Sequence, residues 1–267
     1  MNLLHTFVPP SIALTFGPIS IYWYGILVVV GISLGTLVTV WLGKKNQINQ
    51  EIIFDLSFYL IIFSIIGARL YDVLLELPYY IKYPTQIPAI WNGGLAIHGA
   101  ILAGAITIYS FSKKNKLSLI RLTSIIVPGL ALGQAIGRWG NYFNQELFGL
   151  PTNSSWGIFI SPIFRPENYI NYEYFHPTFL YESFGCLVIF IILIFLHQKI
   201  TNDKKHLIII ATYLISYSLL RFGLEFIRID YAPTFLGLRW PQIISLLIIM
   251  ITIIVLYSKK APTLAKM

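Results

Sequence analysis

The sequence predicts an all-α integral membrane protein with seven transmembrane helices, and three observations support this. Apolar residue types make up 56% of the 267 residues and charged types only 11%, against about 25% charged residues in soluble domains. Seven apolar runs are long enough to cross a bilayer as helices, which takes about 20 residues each. The ten-residue alternation of a membrane β-barrel is absent from the sequence. We therefore expect residues 1–267 to form a single helical membrane domain.

The predicted helices are separated by two long breaks. A lipid-facing backbone must satisfy its own hydrogen bonds, which is why the apolar runs are interpreted as helices. The breaks, 76–94 and 140–177, are rich in Pro, Asn and aromatic residues. We expect the first to be an extracytoplasmic loop and the second a small extracytoplasmic head, with Tyr and Trp at the membrane interface. The seven predicted helices, with bounds given to within several residues, are about 19–42, 52–75, 95–112, 119–139, 178–198, 206–228 and 240–257.

The basic residues predict the orientation of these helices. Most Lys and Arg residues fall in loops on one side of the predicted bundle. The loops on the opposite side carry only Lys82, Arg165 and Arg239. Cytoplasmic loops carry the excess of Lys and Arg. We therefore expect the N-terminus outside and the C-terminus in the cytoplasm. The residues on the basic side are Lys44, Lys45, Lys113, Lys114, Lys116, Arg121, Lys199, Lys204, Lys205, Lys259, Lys260 and Lys266.

Four further arginines lie within the predicted helices or at their ends. An arginine at the centre of a spanning helix costs about 2.5–3.5 kcal/mol, so these residues must be paired or lie in a wet cavity. The predicted helix directions place polar residues from six helices at a similar depth in the outer leaflet. A shared depth favours one common site over scattered structural residues. The arginines are Arg69, Arg138, Arg221 and Arg228, and their polar neighbours in depth are Tyr24, Asp72, His98, Asn141, Glu182 and Glu225.

The spacing of Arg221, Glu225 and Arg228 has two interpretations. Residues four and seven positions apart share one face of a helix, so Glu225 can neutralise one arginine and hold the other in a fixed pose. A buried ion-pair network that only stabilises helix packing explains the same triplet equally well. His98 is likewise either a catalyst or a hydrogen-bonded structural histidine.

Two other patterns indicate packing and not chemistry. The stretch from Gly31 to Gly35 matches G-x-S-x-G, but that nucleophile motif needs a strand-to-helix turn and this copy lies inside a predicted helix. Cys186 has no basic neighbour and is interpreted as a small core residue. The glycines that flank Arg138 and His98 are left open, because they allow close approach either by another helix or by a ligand.

Guanidinium groups clustered at headgroup depth suit a phosphate, because the planar fork of arginine matches phosphate oxygens. This favours a lipid-modifying enzyme. The alternative is a transporter or binding protein for an anionic solute. A transporter should place polar groups through the full thickness of the membrane, whereas the inner halves of three predicted helices are largely apolar. The basic residues are scattered between apolar runs, so no nucleic acid partner is expected.

The stretch 137–149, Gly-Arg-Trp-Gly-Asn-Tyr-Phe-Asn-Gln-Glu-Leu-Phe-Gly, resembles the signature of bacterial prolipoprotein diacylglyceryl transferases. Further motifs agree in order over essentially the whole chain: Trp23-Tyr24-Gly25, Gly67-Ala68-Arg69, and the stretches 93–99, 176–182 and 221–228. One departure is Tyr142, where the family more often has Phe. The resemblance implies a multi-pass enzyme of the bacterial cytoplasmic membrane whose active site faces the outer leaflet.

The implied reaction moves the diacylglyceryl group of phosphatidylglycerol to the lipobox cysteine of a prolipoprotein, forming a thioether and releasing glycerol phosphate. The implied partners are therefore phosphatidylglycerol, the prolipoprotein signal peptide and membrane lipids. No metal or organic cofactor is implied.

On this reaction, the chemistry suggests a role for each residue. Arg138 and Arg221 are expected to bind the phosphate, with Glu225 orienting Arg221. His98 is expected to be the general base, although the thiolate alternatively forms near the arginines while His98 only positions a substrate. Support is expected from Arg69, Tyr181 and Glu182. The residues expected to bind substrate are Tyr24, Arg69, Gly94, Arg138, Asn141, Glu146, Gly149, Arg221 and Arg228.

Overall fold

The structure is a computed structural model that describes residues 3–200 and 205–258, and within these ranges it is predominantly helical. The helices are α1 (Leu3–Thr6), α2 (Trp23–Lys45), α3 (Gln50–Leu75), α4 (Leu77–Lys82), α5 (Ile97–Lys114), α6 (Leu119–Phe143), α7 (Thr178–Lys199), α8 (Lys205–Leu224) and α9 (Trp240–Ser258). The strands are β1 (Ile12–Phe16), β2 (Ile19–Tyr22), β3 (Ile158–Phe159), β4 (Tyr174–Phe175), β5 (Thr234–Phe235) and β6 (Leu238–Arg239). The strands pair antiparallel as β1–β2, β3–β4 and β5–β6.

Six of the described helices are long and apolar enough to cross a membrane: α2, α3, α6, α7, α8 and α9. The helix predicted at 95–112 is present as α5, but its 18 residues include His98 and end in Lys113 and Lys114, which makes it less apolar. Its crossing of the membrane stays a prediction. Four basic residues used to predict the orientation, Lys204, Lys259, Lys260 and Lys266, lie outside the described residues.

The chain divides into two compact units. The first combines the chain up to Leu37 with the chain from Val127 onward, and the second is Val38–Ile126.

In the first unit, a β-hairpin lies directly before α2, where the sequence predicts the start of the first membrane helix. Strand β1 pairs with β2, and Trp23 N donates to Ser11 O at 3.0 Å as the chain enters α2. Helix α2 therefore begins at Trp23, four residues after the approximate start predicted at residue 19. Gly17 takes a positive φ of 58° and Pro18 follows it, a turn sequence that sends the chain back as a strand of β-branched and aromatic residues.

Helices α2 and α6 approach closely through glycines. A Cβ atom on Gly35 would lie 2.7 Å from Gly129 O, and one on Gly31 would lie 3.1 Å from Gly133 O. Only residues without a side chain allow this backbone approach. The G-x-S-x-G match thus lies inside α2 and serves helix packing, as the sequence predicts.

The segment predicted as a head has a folded core. Helix α6 continues to Phe143, so the first residues of 140–177 are helical and the predicted start at 140 is early. Beyond them, β3 pairs with β4, and Pro151 forms an isolated bridge with Phe175. The buried side chains of this cluster are Tyr142, Phe148, Ile158, Ile160, Phe175 and Phe179.

The same segment also ends α8 earlier than predicted. Helix α8 stops at Leu224, not at residue 228. Leu150 N donates to Ile227 O at 2.8 Å, and Gly149 forms a bridge with Arg228. The backbone after Leu224 therefore bonds to the chain that follows α6 instead of continuing the helix.

In the second unit, α3 and α5 pack against each other. A Cβ atom on Gly67 would lie 2.7 Å from Gly99 O, and Ala96 N donates to Ala68 O at 3.1 Å where α5 begins. The segment predicted as a loop at 76–94 contains α4 and two 3₁₀ turns, Pro84–Gln86 and Ile90–Asn92. These contacts place the start of α5, and with it His98, beside the end of α3.

Candidate functional site

The first unit contains an ion-pair cluster centred on Glu182. Its two carboxylate oxygens bind different arginines: Oε1 lies 2.7 Å from Arg138 Nη2, and Oε2 lies 3.1 Å from Arg221 Nη1. The Tyr217 hydroxyl donates to Oε1 at 3.1 Å. These residues come from α6, α7 and α8, so one carboxylate of α7 connects three helices.

Glu225 forms a second centre in the same cluster. Its Oε2 lies 3.1 Å from Arg221 Nη2 and 3.9 Å from Arg228 Nε, and its Oε1 lies 3.4 Å from Arg239 Nε. Arg228 Nε also pairs with Asp230 Oδ1 at 2.8 Å. Arg239 in turn donates to the backbone carbonyls of Glu225, Arg228 and Asp230. Arg239 thereby holds the turn that follows α8 against the start of α9.

The acidic and basic side chains of this cluster differ in their exposure to solvent. The side chains of Glu182 and Glu225 are 2% and 1% exposed, whereas those of Arg138 and Arg221 are 23% and 17% exposed. At Arg138 and Arg221 the carboxylates lie behind the guanidinium groups and the accessible face is cationic, whereas Asp230, beside Arg228, is 34% exposed. Four arginines against three carboxylates leave the described cluster with one positive charge. Such a face suits an anion that accepts several hydrogen bonds.

A polar chain leads from Arg138 to the end of α6. Arg138 Nη1 donates to Asn141 Oδ1 at 3.3 Å, one helical turn further on, and Asn141 Nδ2 donates to Glu146 Oε1 at 2.7 Å. Asn141 is buried. The side chains of Arg138, Asn141 and Glu146 are thus ordered by each other.

Two glycines of this region allow close contacts. A Cβ atom on Gly140 would lie 2.6 Å from Cδ2 of Tyr24, so the ring of Tyr24 lies directly against the backbone of α6. Gly149 N donates to His176 O at 2.9 Å, and a Cβ atom on Gly149 would lie 2.9 Å from Ile227 O. A side chain at either position would have to displace a neighbour.

Arg69, in the second unit, contacts a loop instead of an acidic cluster. Its Nε donates to Ile87 O at 2.8 Å, and Nη1 donates to Gly93 O at 2.7 Å and Gly94 O at 2.8 Å. Its Nη2 donates to Gln86 O at 2.5 Å. Here the arginine is the more buried partner, 8% exposed against 19% for Asp72 at 3.7 Å. This arrangement is the reverse of the one around Glu182.

The surroundings of Gly94 are equally closed. Gly94 has a φ of +72°, and a Cβ atom there would fall on Arg69 Nη1 and on Asp72 Oδ2. The Tyr80 hydroxyl donates to Asp72 Oδ2 at 2.8 Å, and this hydrogen bond raises the pKa of Tyr80 above its ordinary value. Arg69, Asp72, Tyr80 and Gly94 therefore form one closed group that holds the loop before α5.

His98 is in the first turn of α5, and its side chain is exposed within the described unit. Its ring centroid lies 5.9 Å from that of Tyr71. Among the described residues, no side chain or carbonyl forms a hydrogen bond with its ring nitrogens. The interpretation of His98 as a hydrogen-bonded structural histidine is thus not confirmed, and its role stays a prediction.

The predicted site residues divide between the two units. In the first unit, Glu182 is expected from the sequence only to support the site and Arg239 only to lie on the outer side, while Tyr217 and Asp230 are not among the expected site residues. A carboxylate inside an apolar helix is itself a sign of a functional site, so the sequence did contain an indication that Glu182 belongs to the site. Nothing in the sequence indicated that Arg239 belongs to the site, because it reaches Glu225 across the β5–β6 hairpin. The first unit holds Tyr24, Arg138, Asn141, Glu146, Gly149, Arg221, Glu225 and Arg228, and the second holds Arg69, Gly94 and His98.

Fold and site together define a class: a multi-pass helical membrane protein with a cluster of arginines paired with the buried carboxylates of Glu182 and Glu225. In the described ranges, no three His, Cys, Asp or Glu side chains are arranged to hold a metal ion.

Comparison with known proteins gives the family. Residues 11–258 match the model of the prolipoprotein diacylglyceryl transferase family. The chain is 42% identical to the phosphatidylglycerol--prolipoprotein diacylglyceryl transferase of Nostoc sp., over 89% of this chain and 85% of the relative. It is 43% identical to the enzyme of that name from Synechococcus elongatus, over 90% and 84%, and 42% identical to that of Synechocystis sp., over 91% and 87%. The chain belongs to the prolipoprotein diacylglyceryl transferase family.

Proposed function

We propose that this protein transfers the diacylglyceryl group of phosphatidylglycerol to the lipobox cysteine of prolipoproteins, the first step of bacterial lipoprotein maturation. The observation that carries the proposal is the accessible guanidinium face of Arg138 and Arg221 on the buried carboxylate of Glu182, in a chain of this transferase family. The names of its relatives specify the same lipid and the same protein substrate.

The two arginines serve the bond that breaks. In the reaction, the thiolate sulfur attacks the glyceryl carbon that carries the phosphate ester, the carbon–oxygen bond breaks, and glycerol phosphate leaves with the electron pair. Negative charge therefore develops on the departing phosphate, and positioned guanidinium groups stabilise it best in a water-poor site. Glu225, at 3.1 Å from Arg221, holds that guanidinium in its orientation. Arg228, which lies 3.9 Å from Glu182, contributes further positive charge.

Hydrogen bonds to the lipid headgroup come from neighbouring residues in this proposal. Tyr24 and Asn141 bind the glycerol hydroxyls, while Glu146 and Gly149 shape the mouth of the site. Asn141 is already bound to both Arg138 and Glu146, so all three respond together to a bound headgroup. Arg69 and Gly94 act here by holding the loop before α5, because the guanidinium donors of Arg69 are taken up by loop carbonyls.

His98 is the proposed general base for the lipobox thiol. Its exposed imidazole, without a hydrogen-bond partner among the described residues, is available to accept a proton. In the competing version, the thiolate forms near the arginines, whose positive charge stabilises it, and His98 only positions a substrate. The two versions differ in whether lipid binding survives the loss of His98.

We also propose seven membrane crossings, with α5 as the third, an outer N-terminus and a cytoplasmic C-terminus. Basic residues occupy the last turns of α2, α5 and α7: Lys44 and Lys45, Lys113 and Lys114, and Lys199. Cytoplasmic helix ends carry such residues. This orientation puts the active site at the outer leaflet of the cytoplasmic membrane, where the head and the loop at 76–94 face the exported substrate.

The proposal is tested by incubating the purified protein with phosphatidylglycerol and a lipobox peptide, followed by mass spectrometry. The expected result is a peptide heavier by one diacylglyceryl group, with glycerol phosphate released. A matched peptide with Ser in place of the lipobox Cys should stay unmodified. Absence of any product with the Cys peptide, combined with uptake of an anionic solute into vesicles, would instead support the transporter alternative.

A further inference from the structure

We propose that Glu182 is the positioning residue that brings Arg138 and Arg221 together, so that both guanidinium groups bind one phosphate. This inference rests on the proposed function, since it assigns the phosphate to the headgroup of the lipid substrate. The distances of the ion pairs of Glu182 support this role.

Glu182 is the carboxylate that reaches both arginines. Its two oxygens bind Arg138 and Arg221 separately, at 2.7 and 3.1 Å. Glu225, the other buried carboxylate of the cluster, pairs with Arg221 at 3.1 Å, and its remaining ion pairs within the described ranges are with Arg228 and Arg239. Glu225 therefore orients one of the two proposed phosphate ligands, and Glu182 joins them.

A bridge of this kind is needed because the two guanidinium groups repel each other. They come from different helices, α6 and α8, and in a low-dielectric site like charges separate unless an anion lies between them. The carboxylate of Glu182 supplies that anion from behind, since its side chain is 2% exposed. The more exposed arginine faces remain available to a second anion. Glu182 thus prepares a site for phosphate before the lipid arrives.

Two further contacts hold Glu182 itself. The Tyr217 hydroxyl donates to Oε1 at 3.1 Å, the oxygen that also binds Arg138. The next residue, Ser183, donates to Ala135 O at 2.7 Å and fastens this turn of α7 to α6. Because the backbone and one carboxylate oxygen of Glu182 are held in place, Glu182 can fix the positions of the arginines that it binds.

The test is the Glu182→Gln variant. The amide keeps the size of the side chain but retains one oxygen acceptor, and its NH2 group opposes one of the guanidinium groups. We expect kcat for diacylglyceryl transfer to fall about 100-fold, the scale for a misplaced charge-stabilising group, with a smaller change in KM. Glu182→Asp, which keeps both oxygens, should recover part of this loss. Glu167→Gln, at an exposed carboxylate of the head, is the control and should match the parent protein.

A double variant separates positioning from simple stabilisation of the fold. If Glu182 acts through Arg138, then Glu182→Gln should cost much less kcat in an Arg138→Lys background than in the parent protein, because residues that act as a unit are not additive. The same factor in both backgrounds, or near-parental kcat in Glu182→Gln with only a lower Tm, would overturn the inference. If the parent protein forms no lipidated peptide, the proposed function fails, and thermal stabilisation by inorganic phosphate decides instead: equal stabilisation of parent and Glu182→Gln then rejects the role of Glu182.

Discussion

Glu182 Oε1 lies 2.7 Å from Arg138 Nη2, although the two residues are 44 positions apart in the chain. Between them, the chain leaves α6, builds the head with its own apolar cluster, and returns at Thr178 to start α7. The head thus has a structural consequence in addition to any contact with substrate: it sets the position at which α7 begins, and Glu182 lies in the second turn of that helix.

The first prediction concerns the two proposed phosphate ligands. Arg138→Ala and Arg221→Ala should each reduce transfer by at least about 10²–10³-fold, since each removes a positioned charge from the departing phosphate. Lysine at either position should recover only part of the activity, because its ammonium lacks the planar fork. The measurement is the initial rate of peptide lipidation in detergent or vesicles.

Arg165→Ala is the matched control for these variants. Arg165 also lies in the first unit, but it donates to the carbonyls of Ile160 and Ile170 inside the head. Its loss should affect the stability of the head more than transfer. Full activity in either Arg138→Ala or Arg221→Ala would refute the assignment of the phosphate site.

Most of the helices could be predicted from the sequence, because apolar runs of about 20 residues have few alternatives in a membrane. The errors occur where helices end. Residues 19–22 are apolar enough for a helix, but Gly17 and Pro18 turn them into strand β2. At the end of α8, the apolar pattern continues to residue 228, while the backbone of Ile227 bonds to Leu150. Neither partner is local, so periodicity could not locate these ends.

The candidate site shows the same limit. Arg138, Arg221 and Glu225 could be selected because charges in apolar helices are costly, and Arg221 and Glu225 are four residues apart. The central place of Glu182 could not, because it depends on how α7 packs between α6 and α8. Arg239 had the appearance of an outer-loop residue, yet it lies 3.4 Å from Glu225 Oε1. Depth along one helix can be estimated from sequence, but the pairing of charges across helices needs the fold.

The second prediction tests His98 as the general base. His98→Gln should lower the transfer rate by about 10²–10⁴-fold, the usual contribution of a positioned base, while binding of fluorescent phosphatidylglycerol persists. His197→Gln, at the last turn of α7, is the control and should retain activity. Loss of lipid binding in His98→Gln would favour the version in which His98 positions a substrate, and a near-normal rate would remove both roles.

The third prediction concerns Cys186, which is fully buried inside α7. The expectation that it has no basic neighbour is wrong, because Arg138 and Arg221 both lie close enough to act on it electrostatically. Cys186→Ser should leave the transfer rate within about twofold of the parent, because the acceptor sulfur belongs to the peptide and Cys186 is expected to act only in packing. Burying the serine hydroxyl in place of the thiol should cost at most about 1–3 kcal/mol of stability. The check is the same lipidation assay together with Tm. A large fall in rate with an unchanged Tm would show that the enzyme uses its own thiol as a covalent carrier.

A pair of glycines in α6 allows a sharper test of Tyr24. Gly140→Ala should push the Tyr24 ring away from the backbone, because the new Cβ atom would lie 2.6 Å from its Cδ2 atom. We expect transfer to fall about 10- to 100-fold, the cost of a displacement of about 1 Å at a binding group. Gly137→Ala is one turn earlier in the same helix, and its Cβ atom meets nothing within 4 Å. That control should be fully active and slightly more stable, since alanine favours the helix by up to about 1 kcal/mol. Equal activity in both variants would remove Tyr24 from the site.

The last prediction separates the support given by Arg69 from direct contact with substrate. Arg69→Lys keeps the charge but replaces a five-donor fork with a three-donor ammonium, so it cannot satisfy the carbonyls of Gln86, Ile87, Gly93 and Gly94 together. Each carbonyl left without a donor costs about 1–3 kcal/mol where water cannot reach it. We therefore expect faster hydrogen exchange at residues 84–96 and a lower Tm, with Arg121→Lys, elsewhere in the second unit, as the unaffected control. If Arg69 instead binds the lipid phosphate directly, Arg69→Lys should weaken lipid binding while exchange in 84–96 stays at the parental rate. That outcome would return Arg69 to the set of substrate ligands and leave the ordering of the loop to Asp72 and Tyr80.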